Sequence, residues 1–196
     1  FEEAPSPALN QAQREEIGKI VATAVKKMGY RGAGTMEFLY EDGNFYFIEM
    51  NTRIQVEHPV TEMITGIDLI REQIRVADGK KLSFSQEDVM LVGHAIECRL
   101  YAEDADRGFL PATGHVRRLE LPGGPGVRVD TYGYVGCNIP LRYDSLLANL
   151  TVWAEDRPAA VRRMRRALQD FKIVGVQTNL PMQQQMVVEP SFKEGE

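Results

Sequence analysis

The sequence predicts an α+β protein: an antiparallel β-hairpin with flanking helices, followed by a mixed, mainly antiparallel β domain with a packed helix. Three observations carry this. Apolar residues recur at helical spacing through Ile17, Ile20, Val21, Ala24, Val25 and Met28. Two β-rich runs, residues 34–41 and 45–50, flank Asp42-Gly43-Asn44, a strong hairpin signal. From Gly93 onward, short strand patterns alternate with turn clusters and lead into an amphipathic helix.

Taken in order, Asn10 is an N-cap candidate with acidic residues soon after it, and Gly29 is a plausible stop for the first helix. After the hairpin, residues 60–65 and 67–77 read as two short helices split at Gly66. Ile67, Leu69, Ile70, Ile74 and Ala77 form the apolar face of the second. Residues 84–92 read as a connector, so a boundary falls near 80–92 and the domains are taken as 1–85 and 86–196. Strands are expected over 94–101, 115–121, 127–131 and 147–154. The last helix spans 156–171, with Ala160, Val161, Met164, Ala167, Leu168 and Phe171 inward.

Composition narrows the function classes. Of the residues, 43% are hydrophobic and 26% charged, and 23 basic against 28 acidic side chains give a net charge of −5. That balance does not favour nucleic acid or an anionic membrane as partner. The run Arg162-Arg163-Met-Arg165-Arg166 reads as a solvated helix face. Cys98 and Cys137 are the only cysteines, which argues against a disulfide framework or a zinc site and for a reducing, cytoplasmic compartment. No apolar run approaches the roughly 20 residues that span a bilayer. The first residues do not resemble a signal peptide, and the chain is expected to be a segment of a longer protein.

The hairpin carries the chemistry. If Asp42-Gly43-Asn44 forms a three-residue loop, Glu41 pairs with Phe45 and Glu37 lies opposite Glu49; a two-residue loop would throw the two carboxylates onto opposite faces. Facing carboxylates repel unless something positive lies between them. Asn51 follows Glu49 on the same face if the strand continues. Two carboxylates and an amide oxygen make a hard oxygen site suited to magnesium or manganese. The bland alternative is a pair of solvated edge-strand glutamates. Beyond them, Arg53, Gln55 and Glu57 keep the odd positions polar while Met50, Ile54 and Val56 are apolar. Fully extended, residues 49–57 would lay a polar stripe roughly 26 Å long. Arg53 suits a small planar oxyanion held by two parallel hydrogen bonds, and Glu57 could serve as a general base. A surface strand that is polar on its wet side is the alternative.

Two stretches then carry a resemblance: Tyr30-Arg-Gly-Ala-Gly-Thr-Met-Glu-Phe38, and Phe47-Ile-Glu-Met-Asn-Thr-Arg-Ile-Gln-Val-Glu-His-Pro-Val-Thr-Glu62. They resemble the biotin carboxylase signature of the ATP-grasp superfamily. Gly93-His-Ala-Ile-Glu-Cys-Arg99, Ala102-Glu-Asp104, Phe109-Leu-Pro111, Tyr143-Asp-Ser145 and Thr178-Asn179 agree with it. The resemblance covers essentially the whole chain and implies the end of the ATP-grasp domain followed by the biotin carboxylase C-terminal domain.

By this resemblance, Glu37 and Glu49 are magnesium (or manganese) and ATP ligands, Asn51 is a further metal ligand, and Leu39 is an apolar contact to adenine. Arg53, Gln55 and the backbone of Val56 hold bicarbonate, with Arg53 catalytic. Glu57 is the base that prepares bicarbonate to attack the γ-phosphate of ATP, giving carboxyphosphate. Arg99 stabilises negative charge on biotin, and Asp144 is a weaker candidate near the site. Arg128 lies where bacterial relatives form part of a dimer interface, whereas Pro125 departs from the aromatic residue common there. The implied partners are a biotin carboxyl carrier protein or domain, a carboxyltransferase component and a second copy of the chain. Acetyl-CoA carboxylase is one implied setting, in the cytoplasm or, in a eukaryote, the mitochondrial matrix. The glycine-rich phosphate loop of the family precedes the region present, so the 196 residues alone are expected to be inactive. A non-catalytic folding or dimerisation module and another ATP-grasp ligase stand as alternatives. Arg99 and the run from Arg53 to Glu57 argue against the second. His58, which parity places on the opposite face from Glu57, and His94 read as structural histidines, and His115 as a surface strand residue.

Overall fold

In the computed structural model, which describes residues 1–195, the chain opens with strand β1 (Glu2–Ala4) and then helix α1 (Gln11–Met28). Asn10 caps α1 reciprocally: its side chain accepts from Gln13 N at 3.0 Å, and the Gln13 side chain accepts from Asn10 N at 3.0 Å. Gly29, at φ 66°, closes the helix in the left-handed conformation. The expected early acidic residues, Glu15 and Glu16, lie beyond the first turn.

The hairpin follows as β2 (Thr35–Glu41) and β3 (Asn44–Asn51). Its loop differs from the sequence expectation. Glu41 pairs with Asn44, so the turn has two central residues, Asp42 at φ 48° and Gly43 at φ 83°. Positive φ at both positions matches the right-handed twist of the strands they join. The ladder then shifts between Glu37 and Phe38, leaving Ile48 as an extra residue, and Glu37 still faces Glu49. The expected pairing is therefore present, but a bulge produces it rather than a three-residue loop.

Parity along the hairpin separates two faces. Met36, Phe38 and Tyr40 lie with Met50, Phe47 and Phe45, and the rings of Phe38, Tyr40, Phe45 and Phe47 contact one another. This face meets α1: Gln13 Nε2 donates to the Tyr40 hydroxyl at 2.7 Å, and Ile17 and Val21 line a groove with Met36, Phe38 and Phe45. The opposite face carries Thr35 with Asn51, Glu37 with Glu49 and Leu39 with Tyr46.

After β3 the chain turns into α2 (His58–Thr65), ended by Gly66 at φ 70°. Then α3 (Leu69–Ala77) starts at the Asp68 cap, two residues later than the spacing suggests. The expected apolar face of α3 is largely open, with Ile70 and Ile74 exposed. Its buried residue is instead Glu72, which accepts from Ser83 N at 3.0 Å and Ser83 Oγ at 2.7 Å. Those Ser83 hydrogen bonds hold the Glu72 carboxyl below the usual carboxylate range.

Residues 6–91 form one compact unit, and residues 1–5 group with those from Val92 onward as the second. That second unit continues through β4 (His94–Tyr101), β5 (Glu103–Asp104), β6 (Leu110–Pro111), β7 (Gly114–His115), β8 (Arg118–Glu120), β9 (Val127–Thr131), β10 (Asn138–Ile139) and β11 (Leu146–Ala154). It ends with α4 (Arg157–Asp170), β12 (Lys172–Val174), α5 (Leu180–Met186) and α6 (Pro190–Glu194). An antiparallel sheet of order β1-β4-β11-β9 is its frame. Residues 1–5, grouped with the first domain on sequence alone, thus supply an edge strand to this sheet.

Ile96, Cys98 and Leu100 of β4 and Ala148, Leu150, Val152 and Ala154 of β11 point to one side. There they pack with Ala160, Val161, Met164, Ala167 and Leu168 of α4. Period two on the strands and 3.6 on the helix place these residues in one core. The strand expected over 115–121 is instead two short pieces, because each half has its own partner: β7 pairs with β10 and β8 with β12. Among the described residues no helix is long and apolar enough to cross a membrane.

Candidate active site

The open face of the hairpin gathers the polar residues that the sequence singles out. Glu37 is half-buried and Glu49 exposed, directly opposite one another. Asn51 Nδ2 bridges them, donating to Glu37 Oε1 at 2.7 Å and to Glu49 Oε1 at 3.3 Å. Repulsion between the two carboxylates is thus offset by amide hydrogens where a cation would otherwise be needed. Leu39 and Tyr46, both exposed, continue the same face with an apolar patch.

The stripe expected over residues 49–57 is not extended. Strand β3 ends at Asn51, Arg53 sits in a bend, and Val56 and Glu57 form the turn that enters α2. Pro59, in the first turn of α2, favours this helix start and ends the strand geometry that the parity argument needs. Folding back has a consequence that extension would not: Gln55 Nε2 reaches Glu37 Oε1 at 2.8 Å. Arg53 Nη2 donates to Asn51 Oδ1 at 3.2 Å, and Arg53 Nη1 to the Ile54 carbonyl at 3.1 Å. Arg53, Gln55 and Glu57 all border a cleft of about 330 Å³, together with Gly34, Thr35, His58 and Thr61. A guanidinium, an amide and a carboxylate around one small cleft can bind a planar oxyanion and remove its proton. Val56 lies at the turn with its side chain partly exposed.

His58 lines the same cleft as Glu57, so the expected separation of the two onto opposite faces does not hold. Its Nδ1 lies 2.8 Å from the Gln55 carbonyl, a contact that ties the turn together. Among the described residues no group of three or more His, Cys, Asp or Glu side chains is placed to hold a metal. A cation at the hairpin would therefore rely on Glu37, Glu49 and the amide oxygen of Asn51, completed by oxygens from outside the chain. This hard, all-oxygen donor set fits magnesium or manganese.

Arg99 belongs to the C-terminal unit, on the sheet face opposite α4. Across the strands, Glu2, Glu97, Thr151 and Arg128 form one row, and Arg99, Asn149 and Asp130 the next. Arg99 Nη2 meets Glu2 Oε1 at 3.0 Å, and Nε lies 3.9 Å from Glu97 Oε1. Glu97 is completely buried and accepts from Thr151 Oγ1 at 3.2 Å. Asn179 extends the edge of β4 beyond β1: its Nδ2 donates to the Arg99 carbonyl at 3.1 Å, and its Oδ1 accepts from Tyr101 N at 2.9 Å.

The sequence pointed to no role for Glu2, nor for Glu97 and Asn179, although the last two stand within the motifs that carry the resemblance. For Glu97 a signal existed, since it shares the odd-numbered face of β4 with Arg99. Asp144 is exposed, and its Oδ1 accepts from Leu146 N at 2.8 Å, a local turn that launches β11. Arg128 pairs along its own strand with Asp130 at 2.8 Å. His94 is buried against Glu3 at 2.7 Å, and His115 is exposed beside Asn138.

Family profiles match both parts of the chain. The Carbamoyl-phosphate synthase L chain, ATP binding domain, matches residues 1–85, and the Biotin carboxylase C-terminal domain matches residues 97–196. The chain belongs to the biotin carboxylase family. It is 52% identical over 194 residues to biotin carboxylase of Haemophilus influenzae, covering 99% of this chain and 43% of that protein. It is 52% identical over 196 residues to biotin carboxylase of a Nostoc species, covering 100% of this chain and 44% of the relative. The solved biotin carboxylase domain dimer of Hydrogenobacter thermophilus 2-oxoglutarate carboxylase, in complex with MgADP, ADP and bicarbonate, superposes with a TM-score of 0.97. Its identity is 50%, over 99% of this chain and 43% of that one. The chain thus spans less than half the length of these biotin carboxylase relatives.

Proposed function

We propose that the chain carries the metal-, bicarbonate- and biotin-handling part of the biotin carboxylase component of a biotin-dependent carboxylase. The intact enzyme uses Mg-ATP and bicarbonate, by way of carboxyphosphate, to carboxylate biotin on a carrier protein. The observation that carries this reading is the pairing of Glu37 with Glu49 on the open hairpin face, with Asn51, Arg53, Gln55 and Glu57 folded around it. Family membership supports it.

In this reading Glu37, Glu49 and Asn51 hold magnesium, which neutralises charge on the nucleotide phosphates when bound. Leu39, exposed on the same face, gives the adenine ring an apolar contact. Arg53, Gln55 and the backbone of Val56 hold bicarbonate. Arg53 supplies fixed positive charge in a planar fork, so the anion is oriented as well as bound. Glu57 takes the bicarbonate proton, leaving an oxygen free to attack the γ-phosphorus. Arg99, steadied by Glu97 and Asn179, places positive charge where the ureido oxygen of biotin gains negative charge as its nitrogen loses a proton. Asp144 acts indirectly, by shaping the turn before β11. The partners are a biotin carboxyl carrier, a carboxyltransferase component and a second copy of the chain, in the cytoplasm.

The test is a chimera that completes this chain with the N-terminal portion of the Haemophilus influenzae relative. With Mg-ATP, bicarbonate and free biotin it should release ADP and form carboxybiotin. Arg99→Ala should abolish carboxybiotin, and Glu57→Gln should suppress bicarbonate-dependent ADP release. The 196 residues alone should do neither. A folded chimera that shows no bicarbonate dependence would overturn the reading.

A further inference from the structure

The group that lies between Glu37 and Glu49 is an amide engaged at both ends. Asn51 Nδ2 donates to both carboxylates, while Asn51 Oδ1 accepts from Arg53 at 3.2 Å. Charge fixes this orientation. Turned the other way, the amide oxygen would lie 2.7 Å from a carboxylate oxygen, acceptor against acceptor, and the amide nitrogen would face a guanidinium, donor against donor. Gln55 is tied to the same state, since it spends its Nε2 on the Glu37 oxygen that Asn51 uses.

We propose that Asn51 is a relay that couples cation binding at Glu37 and Glu49 to the freeing of Arg53 and Gln55 for an oxyanion. The inference rests on the reading of the two glutamates as metal ligands. An N–H₂ group cannot remain between two carboxylates that share a divalent cation. Asn51 then turns its amide about χ2 and offers Oδ1, the end that can coordinate. The turn brings Nδ2 round to Arg53, so the contact between Asn51 and Arg53 becomes repulsive. Gln55 in turn loses the Glu37 oxygen to the cation. Arg53, its Nη2 released while Nη1 stays on the Ile54 carbonyl, and Gln55 both border the 330 Å³ cleft, where each can donate to a planar anion.

The coupling also runs in reverse. An anion that draws Arg53 away leaves Asn51 Oδ1 without that donor and makes the turn easier. Linkage requires the two effects to be equal in size. The site therefore favours an anion that arrives with the metal already in place and disfavours one that arrives without it.

Side-chain NMR of the 196-residue chain tests this without turnover. The probes are MgCl₂ alone, sodium bicarbonate alone, and the two together. The signals are the Glu37 and Glu49 carboxyl carbons, the Asn51 and Gln55 amides and Arg53 Nε–H. The relay predicts that magnesium alone shifts all five residues, and that it tightens bicarbonate binding about fivefold or more. In Asn51→Asp a carboxylate oxygen faces Arg53 whether or not the cation is present. Magnesium should still bind that variant, but Arg53 should no longer respond, and the gain in bicarbonate affinity should fall to about twofold or less. If magnesium shifts Glu37 and Glu49 in the native chain while Asn51 and Arg53 stay still, the relay is wrong and the metal site stands. If magnesium shifts neither glutamate, both the relay and the metal reading fail.

Discussion

Glu97 lies beneath the guanidinium that the account assigns to biotin, and its burial makes a quantitative prediction. Glu97 is 0% exposed, whereas Glu2, which also pairs with Arg99, is 41% exposed on its side chain. Removing one partner of a buried ion pair costs about 3–5 kcal/mol. Two features lower that figure for Glu97→Gln. Arg99 keeps Glu2 at 3.0 Å, and its own side chain is 27% exposed. The glutamine oxygen can go on accepting from Thr151, whereas its amide nitrogen takes the place of Oε1 and faces Arg99, donor against donor, which keeps a real cost in place. The expected loss is about 1–2 kcal/mol, which for a urea dependence of about 1.5 kcal/mol per molar moves the midpoint by roughly 1 M. Glu2→Gln, a rim substitution, should cost less than about 1 kcal/mol. Trp153, the single tryptophan, lies on β11 within the same sheet, so its fluorescence during urea unfolding reads this unit selectively. The reasoning is refuted if Glu2→Gln costs as much as Glu97→Gln, or if Glu97→Gln leaves the midpoint in place.

Three further outcomes follow from the structure. Gly43→Ala puts a Cβ at φ 83°, a left-handed position with open space around it, so only backbone strain counts. A loss of about 1 kcal/mol should speed hydrogen exchange of the β2 and β3 amides roughly fivefold. Burial works against the charge on Glu3, yet hydrogen bonds from His94 and Arg157 prevail and hold its carboxyl below the usual range. A depressed folded pKa means stability that is present above the ordinary value of 4.5 and lost as pH falls through the folded value. Acid titration of Glu3→Gln should therefore show a shallower loss of stability below that point. Burial pushes the Cys98 thiol up to about 12, so a thiol reagent at pH 8 should leave Cys98 unmodified until the chain is unfolded.

Periodicity made much of this architecture legible. Strand β4, strand β9 and the two ends of α1 follow directly from apolar spacing and from Asn10 and Gly29. The facing of Glu37 and Glu49 was also legible, although by a different route. A regular ladder beyond the two-residue turn would have set Glu37 opposite Ile48, and nothing local in the sequence marks Ile48 as the bulged residue. Parity failed beyond Asn51, where a turn and a helix with proline at its start replace the strand. The contact between Gln55 and Glu37 exists only because of that turn. Around Arg99 the limit was range: its partner Glu2 is 97 positions away, on a three-residue strand too short to show a period. Asn179 was visible as part of a motif, yet its role at the edge of β4 depends on where β1 stops.

The central claim is that this hairpin directs an oxygen of bicarbonate onto the γ-phosphorus of ATP. Uniformly ¹⁸O-labelled bicarbonate tests it most directly, with the completed chimera turning over ATP in unlabelled water. Attack by bicarbonate followed by loss of CO₂ leaves one labelled oxygen in each phosphate released, which the ¹⁸O shift in the phosphorus NMR spectrum resolves. The account predicts one ¹⁸O per phosphate, produced at a far lower rate by Glu57→Gln. Phosphate that carries no label would show water to be the nucleophile and would contradict it.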